Sequence, residues 1–231
     1  MDNIKCTVII PAAGKGKRMN TKKSKQYIEL LDKPILAYTI DAFEKCDKID
    51  NIILVVGKNE IEYVRKEIVE KYNFNKVIEI IEGGKERQDS VYEGIKSLSS
   101  NTDVVLIHDG ARPFIETELI EKAIINAYEY GACVVGVRVK DTIKVSDGDN
   151  NIIDTPNRNT LWSIQTPQAF KKDLITMVYG RGINDKYNAT DDSMLVEKYS
   201  DIKVKIVEGA YSNIKITTSE DLIIAKSFLN L

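Results

Sequence analysis

Histidine is nearly missing: His108 is the only one in 231 residues. Acyl-transfer and hydrolase chemistry built on Ser–His–Asp or Cys–His needs an imidazole aligned by a third group, and the sequence offers no such set. Cysteine is scarce too. Cys6, Cys46 and Cys133 are odd in number, sit in apolar segments and lack metal-ligand spacing, which excludes a disulfide framework and favours buried thiols in a reducing compartment. No apolar run approaches the length of a membrane span, and the opening "MDNIKCTVII" is too short for a signal peptide. Neither sign of charge dominates, with 33 Lys plus Arg against 35 Asp plus Glu, so no global field recruits nucleic acid or an anionic bilayer. These readings lead us to expect a cytoplasmic protein with no membrane or nucleic-acid partner. Its length suits one domain spanning residues 1–231.

What is present has a βα rhythm. "CTVII", "NIILVV", "KVIEII", "DVVLIH" and "ACVVGVRV" are continuous apolar runs, the pattern of strands covered on both faces and hence of a parallel sheet. Between them, "NEIEYVRKEIVEKY" places Ile61, Val64 and Ile68 on one stripe, and "TELIEKAIINAYEY" does the same with Leu119, Ala123, Ile124 and Ala127. Such βαβ units predict an α/β, Rossmann-like fold with a mostly parallel central sheet and helices on both faces. Its ligands would gather beyond the carboxyl ends of the strands.

At the first of those ends stands "IIPAAGKGKRMNTKKSKQY", with six cations between Lys15 and Lys25. It matches neither the dinucleotide fingerprint, which needs a glycine where Met19 stands, nor the P-loop. Ala12, Ala13, Gly14 and Gly16 have little or no side chain, so an anion can approach the backbone N–H groups, while Arg18 and Lys25 add full charges. We read a polyphosphate cradle there. Lys22 and Lys23 read as solvated surface.

The ordered set "PAAGKGKRM…KQY", "GGKERQDSVYEGI", "HDGARPFI", "DTIK", "RNTLWSIQTPQAF", "TDDSMLVE" and "NIKITTSEDL" resembles the 2-C-methyl-D-erythritol 4-phosphate cytidylyltransferase family of Rossmann-like nucleotidyltransferases. The likeness runs over essentially the whole chain. Ribitol-5-phosphate cytidylyltransferases share several elements and form the alternative; a nucleotide-binding regulatory module without chemistry is a second, opposed by the intact Arg18 and Lys25. Gly110 in place of alanine, Lys140 in place of arginine and Lys85 in place of an acidic residue depart from the common pattern.

The resemblance implies transfer of CMP from CTP to a polyol phosphate, with Mg²⁺ or another divalent cation carried mainly by the CTP phosphates and no metal ligand assigned to the protein. A phosphate monoester has a second pKa of ~6, so the attacking oxygen is anionic at neutral pH and needs no base. His108 is therefore expected to pack or hydrogen-bond at the end of the fourth apolar run. By resemblance, Arg18 and Lys25 stabilise the α-phosphate, and Pro11, Ala12, Ala13, Gly14 and Gly16 line the nucleotide. Gly83, Gly84, Ser90, Asp109 and Gly110 complete the nucleotide site. Ser90 and Asp89 otherwise serve to cap the following helix. Asp109 would meet ribose, acceptor hydroxyls or Mg²⁺, and Arg112 either orients the acceptor or braces its loop.

From Asp141 to Trp162 the α/β rhythm breaks. "SDGDNN" reads as the turn of a hairpin between "TIKV" and "NIID", so residues 141–162 form a projecting β-arm. An isolated hairpin is marginal, and a second copy of the chain is the simplest partner. By resemblance the arm is exchanged across a homodimer, where Thr142 and Arg158 contact the other subunit's polyol phosphate and Lys215 positions the same substrate. Spacing alone leaves Arg158 open as a turn charge after Pro156, and Lys215 as an outward residue near the end of a late strand. Thr217 and Glu220 have the spacing of a capping box before the last helix.

Overall fold

The computed structural model describes residues 4–14 and 24–229. Its centre is a seven-stranded sheet in the order β11-β7-β10-β6-β1-β4-β5. The five apolar runs become β1 (Cys6–Ala12), β4 (Asn51–Val56), β5 (Val77–Glu82), β6 (Val104–Ile107) and β7 (Ala132–Arg138). β1 lies parallel between β4 and β6, and β5 extends the sheet beyond β4. The last two strands are β10 (Trp162–Lys171) and β11 (Lys205–Glu208). β11 is parallel to β7, whereas β10 runs antiparallel to both β6 and β7.

The continuous apolar runs are explained by burial on both faces. Along β1, Val8 and Ile10 join one core with Leu36, Ile40 and Phe43 of α1 (Ile35–Glu44) and Ile120 and Ala123 of α4 (Thr117–Tyr130). Ile9, between them, faces the other core with Val91 of α3 (Arg87–Lys96), Val178 of α5 (Lys172–Asn184) and Leu195 of α6 (Ser193–Tyr199). A period of two in a strand buried on both sides leaves no polar phase to read.

The stripe Ile61, Val64, Ile68 lies on a segment that starts as α2 (Ile61–Val64) and continues as a π-helical stretch over Arg65–Glu70. Val64 and Ile68 are buried as expected. A small hairpin, β2 (Glu29–Leu30) with β3 (Lys33–Pro34), precedes α1.

The arm is a separate two-stranded ribbon of β8 (Val145–Ser146) and β9 (Ile152–Asp154). Its tip is closed by the Asp147 carboxylate, which accepts from the backbone N–H groups of Asp149 and Asn151 at 2.9 Å each. Residues 141–155 are all exposed, so the ribbon has no core of its own.

Two local expectations change. Lys215 is not on a strand: residues 212–218 form no ladder, although Ile216 is buried and donates its N–H to Ala111 at 2.9 Å. The pairing with Ala111 draws the segment towards the loop after β6, which an alternating pattern cannot distinguish from sheet addition. The cap of α7 (Ser219–Leu229) is made one residue later than Thr217–Glu220. The Asp221 carboxylate accepts from the Thr218 N–H at 2.9 Å, and Asp221 N–H donates back to Thr218 Oγ1.

Candidate active site

Chain order reverses direction across the sheet at β1: β4 and β5 are laid on one side and β6 on the other. The crevice beyond the carboxyl ends of β1 and β6 is therefore the switch point where such folds hold ligands. The two rims are tied together there, since His108 N–H donates to Ile9 O at 3.0 Å and Gly110 N–H to Pro11 O at 3.2 Å.

One wall of the crevice is built for close approach. A Cβ on Gly83 would lie 2.6 Å from both the Ala13 Cβ and the Ser90 Oγ, and one on Gly84 would overlap Asp89. A Cβ on Gly110 would come within 3.2 Å of the Ala12 Cβ and 3.1 Å of Leu36. The glycines thus let three loops converge, while none of the described residues lies within 4 Å of a Cβ built on Gly14. Asp89 resolves towards capping, because it forms a reciprocal box with Glu86 at the start of α3. Ser90 is buried and donates to Glu86 O at 3.0 Å.

Beside these residues lies a charge cluster around Asp109. Its carboxylate is 2.6 Å from Lys215 Nζ, accepts from Arg87 Nε at 3.1 Å, and lies 4.0 Å from Arg112 Nε. Burial alone would raise the Asp109 pKa; Arg87, then Lys215 and Arg112, instead hold it well below the ordinary carboxylate value. Arg112 donates through Nη1 to Asn213 O at 2.8 Å, while its Nε is a buried donor with no hydrogen-bond acceptor among the described residues. Lys25 donates from Nζ to the carbonyl of Ile216, the residue after Lys215, at 3.1 Å. Gly16 and Arg18 fall outside the described residues.

His108 lies beneath this cluster with no exposed surface. Its ring nitrogens pair with Arg112 O at 3.0 Å and Thr166 Oγ1 at 3.2 Å, and its edge meets the Phe43 ring. Burial lowers its pKa to about 4, so the imidazole is neutral at pH 7.

Arg87 belongs to the site and was not singled out from sequence. Besides Asp109 it holds Asp192 in a fork, Nη1 to Oδ1 at 2.9 Å and Nη2 to Oδ2 at 2.8 Å. Asp192 is fully buried and also accepts from the Tyr179 hydroxyl. Gln168 of β10 supports this pair by accepting from Asp192 and Ser193 N–H groups at 3.0 Å each. The signal that could have found Arg87 is the pairing of the charged stretches "KER" and "TDD"; the distance of 105 residues between partners conceals it.

Within one chain Thr142 and Arg158 do not join the cluster. Both are exposed on the arm, and Arg158 donates to the Lys140 carbonyl at 2.8 Å. Among the described residues, no three His, Cys, Asp or Glu side chains group to hold a metal ion. Nor is any described helix long and apolar enough to cross a membrane.

Known proteins resemble the chain over nearly its full length. The sequence profile of "IspD: 2-C-methyl-D-erythritol 4-phosphate cytidylyltransferase" matches residues 6–231. Proteins named 2-C-methyl-D-erythritol 4-phosphate cytidylyltransferase are similar to it from Alkaliphilus oremlandii, 54% identical over 99% of this chain and 97% of that one, and from Clostridium botulinum, 54% identical over 97% and 99%. The crystal structure of 4-diphosphocytidyl-2C-methyl-D-erythritol synthase from Anaerococcus prevotii superposes with a TM-score of 0.88 at 41% identity, covering 99% of this chain and 97% of that one.

Proposed function

Since the chain belongs to the 2-C-methyl-D-erythritol 4-phosphate cytidylyltransferase family, we infer that its crevice transfers CMP from CTP to 2-C-methyl-D-erythritol 4-phosphate. Pyrophosphate leaves and 4-diphosphocytidyl-2-C-methyl-D-erythritol forms, a step of non-mevalonate isoprenoid precursor synthesis. The observation that carries the reading is the gathering of Arg87, Lys215 and Arg112 around Asp109, with Lys25 bonded to the carbonyl of Ile216 next to Lys215. Two mutually repelling anions must be held in line there, and fixed cations both position them and meet the charge that builds up at the α-phosphorus.

The residues divide the work by place. Ala13, Gly83 and Ser90, packed closely together, are assigned to the base of the nucleotide. Pro11, Ala12, Gly14 and Gly110 lie along the path to the phosphates, where Lys25, with Arg18, stabilises the reacting group. Lys215 and Arg112 take the acceptor, whose phosphate oxygen is already anionic and attacks without a base. Asp109, kept ionised, aligns these cations and accepts from ribose or acceptor hydroxyls. The buried, neutral His108 braces the Arg112 carbonyl and handles no proton of the reaction.

A divalent cation, Mg²⁺ by preference, would neutralise the triphosphate. The Asp109 oxygens are engaged by Arg87 and Lys215, so the donor set suits an ion carried on CTP phosphates better than a protein cage. Thr142 and Arg158 complete the acceptor site of a second subunit in a homodimer that exchanges arms. The chain acts as one catalytic domain in the cytoplasm.

The reading is tested with labelled CTP and Mg²⁺, adding in turn 2-C-methyl-D-erythritol 4-phosphate, ribitol 5-phosphate or no acceptor. Pyrophosphate should appear with the first and far less with the others. Equal release without acceptor would mean hydrolysis, and faster turnover of the ribitol compound would reassign the substrate.

A further inference from the structure

The short 3-10 turn Lys25–Tyr27 presents Lys25 to the crevice, and it is gripped on both sides by one carboxylate outside the site. Glu60 stands just before α2. Its Oε1 accepts from Ser24 Oγ at 3.1 Å, and its Oε2 accepts from Tyr27 OH at 2.7 Å and from Gly57 N–H at 2.9 Å. Gly57 makes this possible, because a Cβ there would lie 2.5 Å from the Glu60 Oε2. A third tie comes from Gln26, buried, whose side-chain amide donates to the Ala12 carbonyl at the end of β1. Tyr27 is buried and its ring meets Tyr63 of α2 edge-on at 5.1 Å. Residues 24, 26 and 27 are thus all pinned to the sheet or to α2, leaving the side chain of Lys25 to extend to Ile216 O beside Lys215.

We propose that Glu60 is a positioning residue for cytidylyl transfer, acting through Ser24 and Tyr27 to aim Lys25 at the α-phosphate; the proposal rests on the reading of Lys25 given above. A carboxylate near a polyphosphate site would ordinarily repel the ligand. Here it accepts three hydrogen bonds, and its service is geometric. A long, flexible lysine contributes transition-state stabilisation only if its ammonium is held in register, and a displacement of about 1 Å costs on the order of 10²-fold. The latch lies at the ends of β1 and β4, so it ties the aim of Lys25 to the rigid centre of the sheet.

The test is a double-mutant cycle read as kcat and KM for CTP, with folding followed by thermal unfolding. Lys25→Ala is expected to lower kcat by roughly 10²-fold, and Glu60→Ala by roughly 10-fold or more. In the Lys25→Ala background, Glu60→Ala should cost less than about 2-fold, since a residue that works only through Lys25 has nothing left to aim. Glu60→Gln keeps the shape and an accepting oxygen, and should recover most of the loss. Additive losses, or a glutamine variant as impaired as the alanine one, would overturn the proposal. Normal turnover in Lys25→Ala would overturn the role of Lys25 and the latch with it, whereas a damaged Lys25→Ala with additive Glu60→Ala defeats the latch alone. If Glu60→Ala does not fold, Tyr27→Phe replaces it in the same cycle, with the same non-additivity expected.

Discussion

Arg87 shows how much one side chain can carry. Its guanidinium is shared between the site carboxylate Asp109 and the fully buried Asp192, and its pKa is raised well above the ordinary value: burial opposes this, but Asp192 and then Asp109 outweigh it. Removing it strands Asp192 without a counter-charge, which typically costs about 3 to 5 kcal/mol. Arg87→Ala is therefore expected to destabilise by that order in denaturant unfolding. Arg87→Lys should restore only a minor part, because one ammonium cannot fork onto Asp192 and reach Asp109 together. A full recovery with lysine would mean that charge alone, without geometry, holds the pair. Lys25, Asp109 and Lys215 could be named because each stands in a short motif, although only Asp109 lies just beyond a strand. Arg87 was not named, because its partners stand just before α6 and just after β6, 105 and 22 residues away.

The arm and β10 make opposite cases among the elements. The arm was legible: an Asp-Gly turn between two short β-prone stretches is a local signal, and local signals survive without tertiary context. Its Ile152 and Ile153 are each 64% exposed. If Arg158 serves the neighbouring subunit, Lys25→Ala and Arg158→Ala homodimers should each be nearly inactive. Mixing them gives about half hybrid dimers with one intact site of two, so roughly a quarter of wild-type activity should return. No recovery after subunit exchange is verified by a tag would assign the arm to its own chain. β10 was not foreseen as a strand. "WSIQTPQAFK" carries Gln165, Thr166 and Gln168 at buried positions, and such a polar run reads as loop until its partners are seen. Those partners are the site itself: Thr166 accepts from Asp109 N–H at 3.1 Å and pairs with His108. The polar residues that disguise the strand are the ones it delivers to the crevice.

The molecule as a whole should be acid-sensitive for a reason lodged at its centre. His108 is faced by Thr166, Phe43, Asp109 and Arg112, with Lys215 nearby, and its folded pKa of about 4 lies below its ordinary 6.5. In that window the unfolded chain binds a proton that the folded chain refuses, so stability falls as pH drops from about 6.5 towards 4. The loss between pH 7 and pH 5 should be about 2 kcal/mol. Asp109, whose folded pKa is depressed, adds its own loss only below the ordinary carboxylate range. Urea unfolding at the two pH values measures the effect, and His108→Asn should flatten it while leaving the activity's dependence on acceptor ionisation in place. An equally steep decline in the variant would place the sensitivity elsewhere.

The sequence by itself determined the layers and the chemistry's signature. Continuous apolar runs imply strands covered twice, helical stripes imply crossovers, and small residues with cations after β1 imply a held anion; each depends on contacts a few residues apart. Tertiary structure alone decided how charges as far apart in sequence as Arg87 and Asp192, or Lys215 and Asp109, neutralise one another. It also decided that β10 enters the sheet reversed and that Lys215 reaches Asp109 from a segment without strand pairing. The physical reason is range. Backbone periodicity and turn chemistry are written locally, whereas the partner of a buried charge is chosen by which elements the sheet brings side by side.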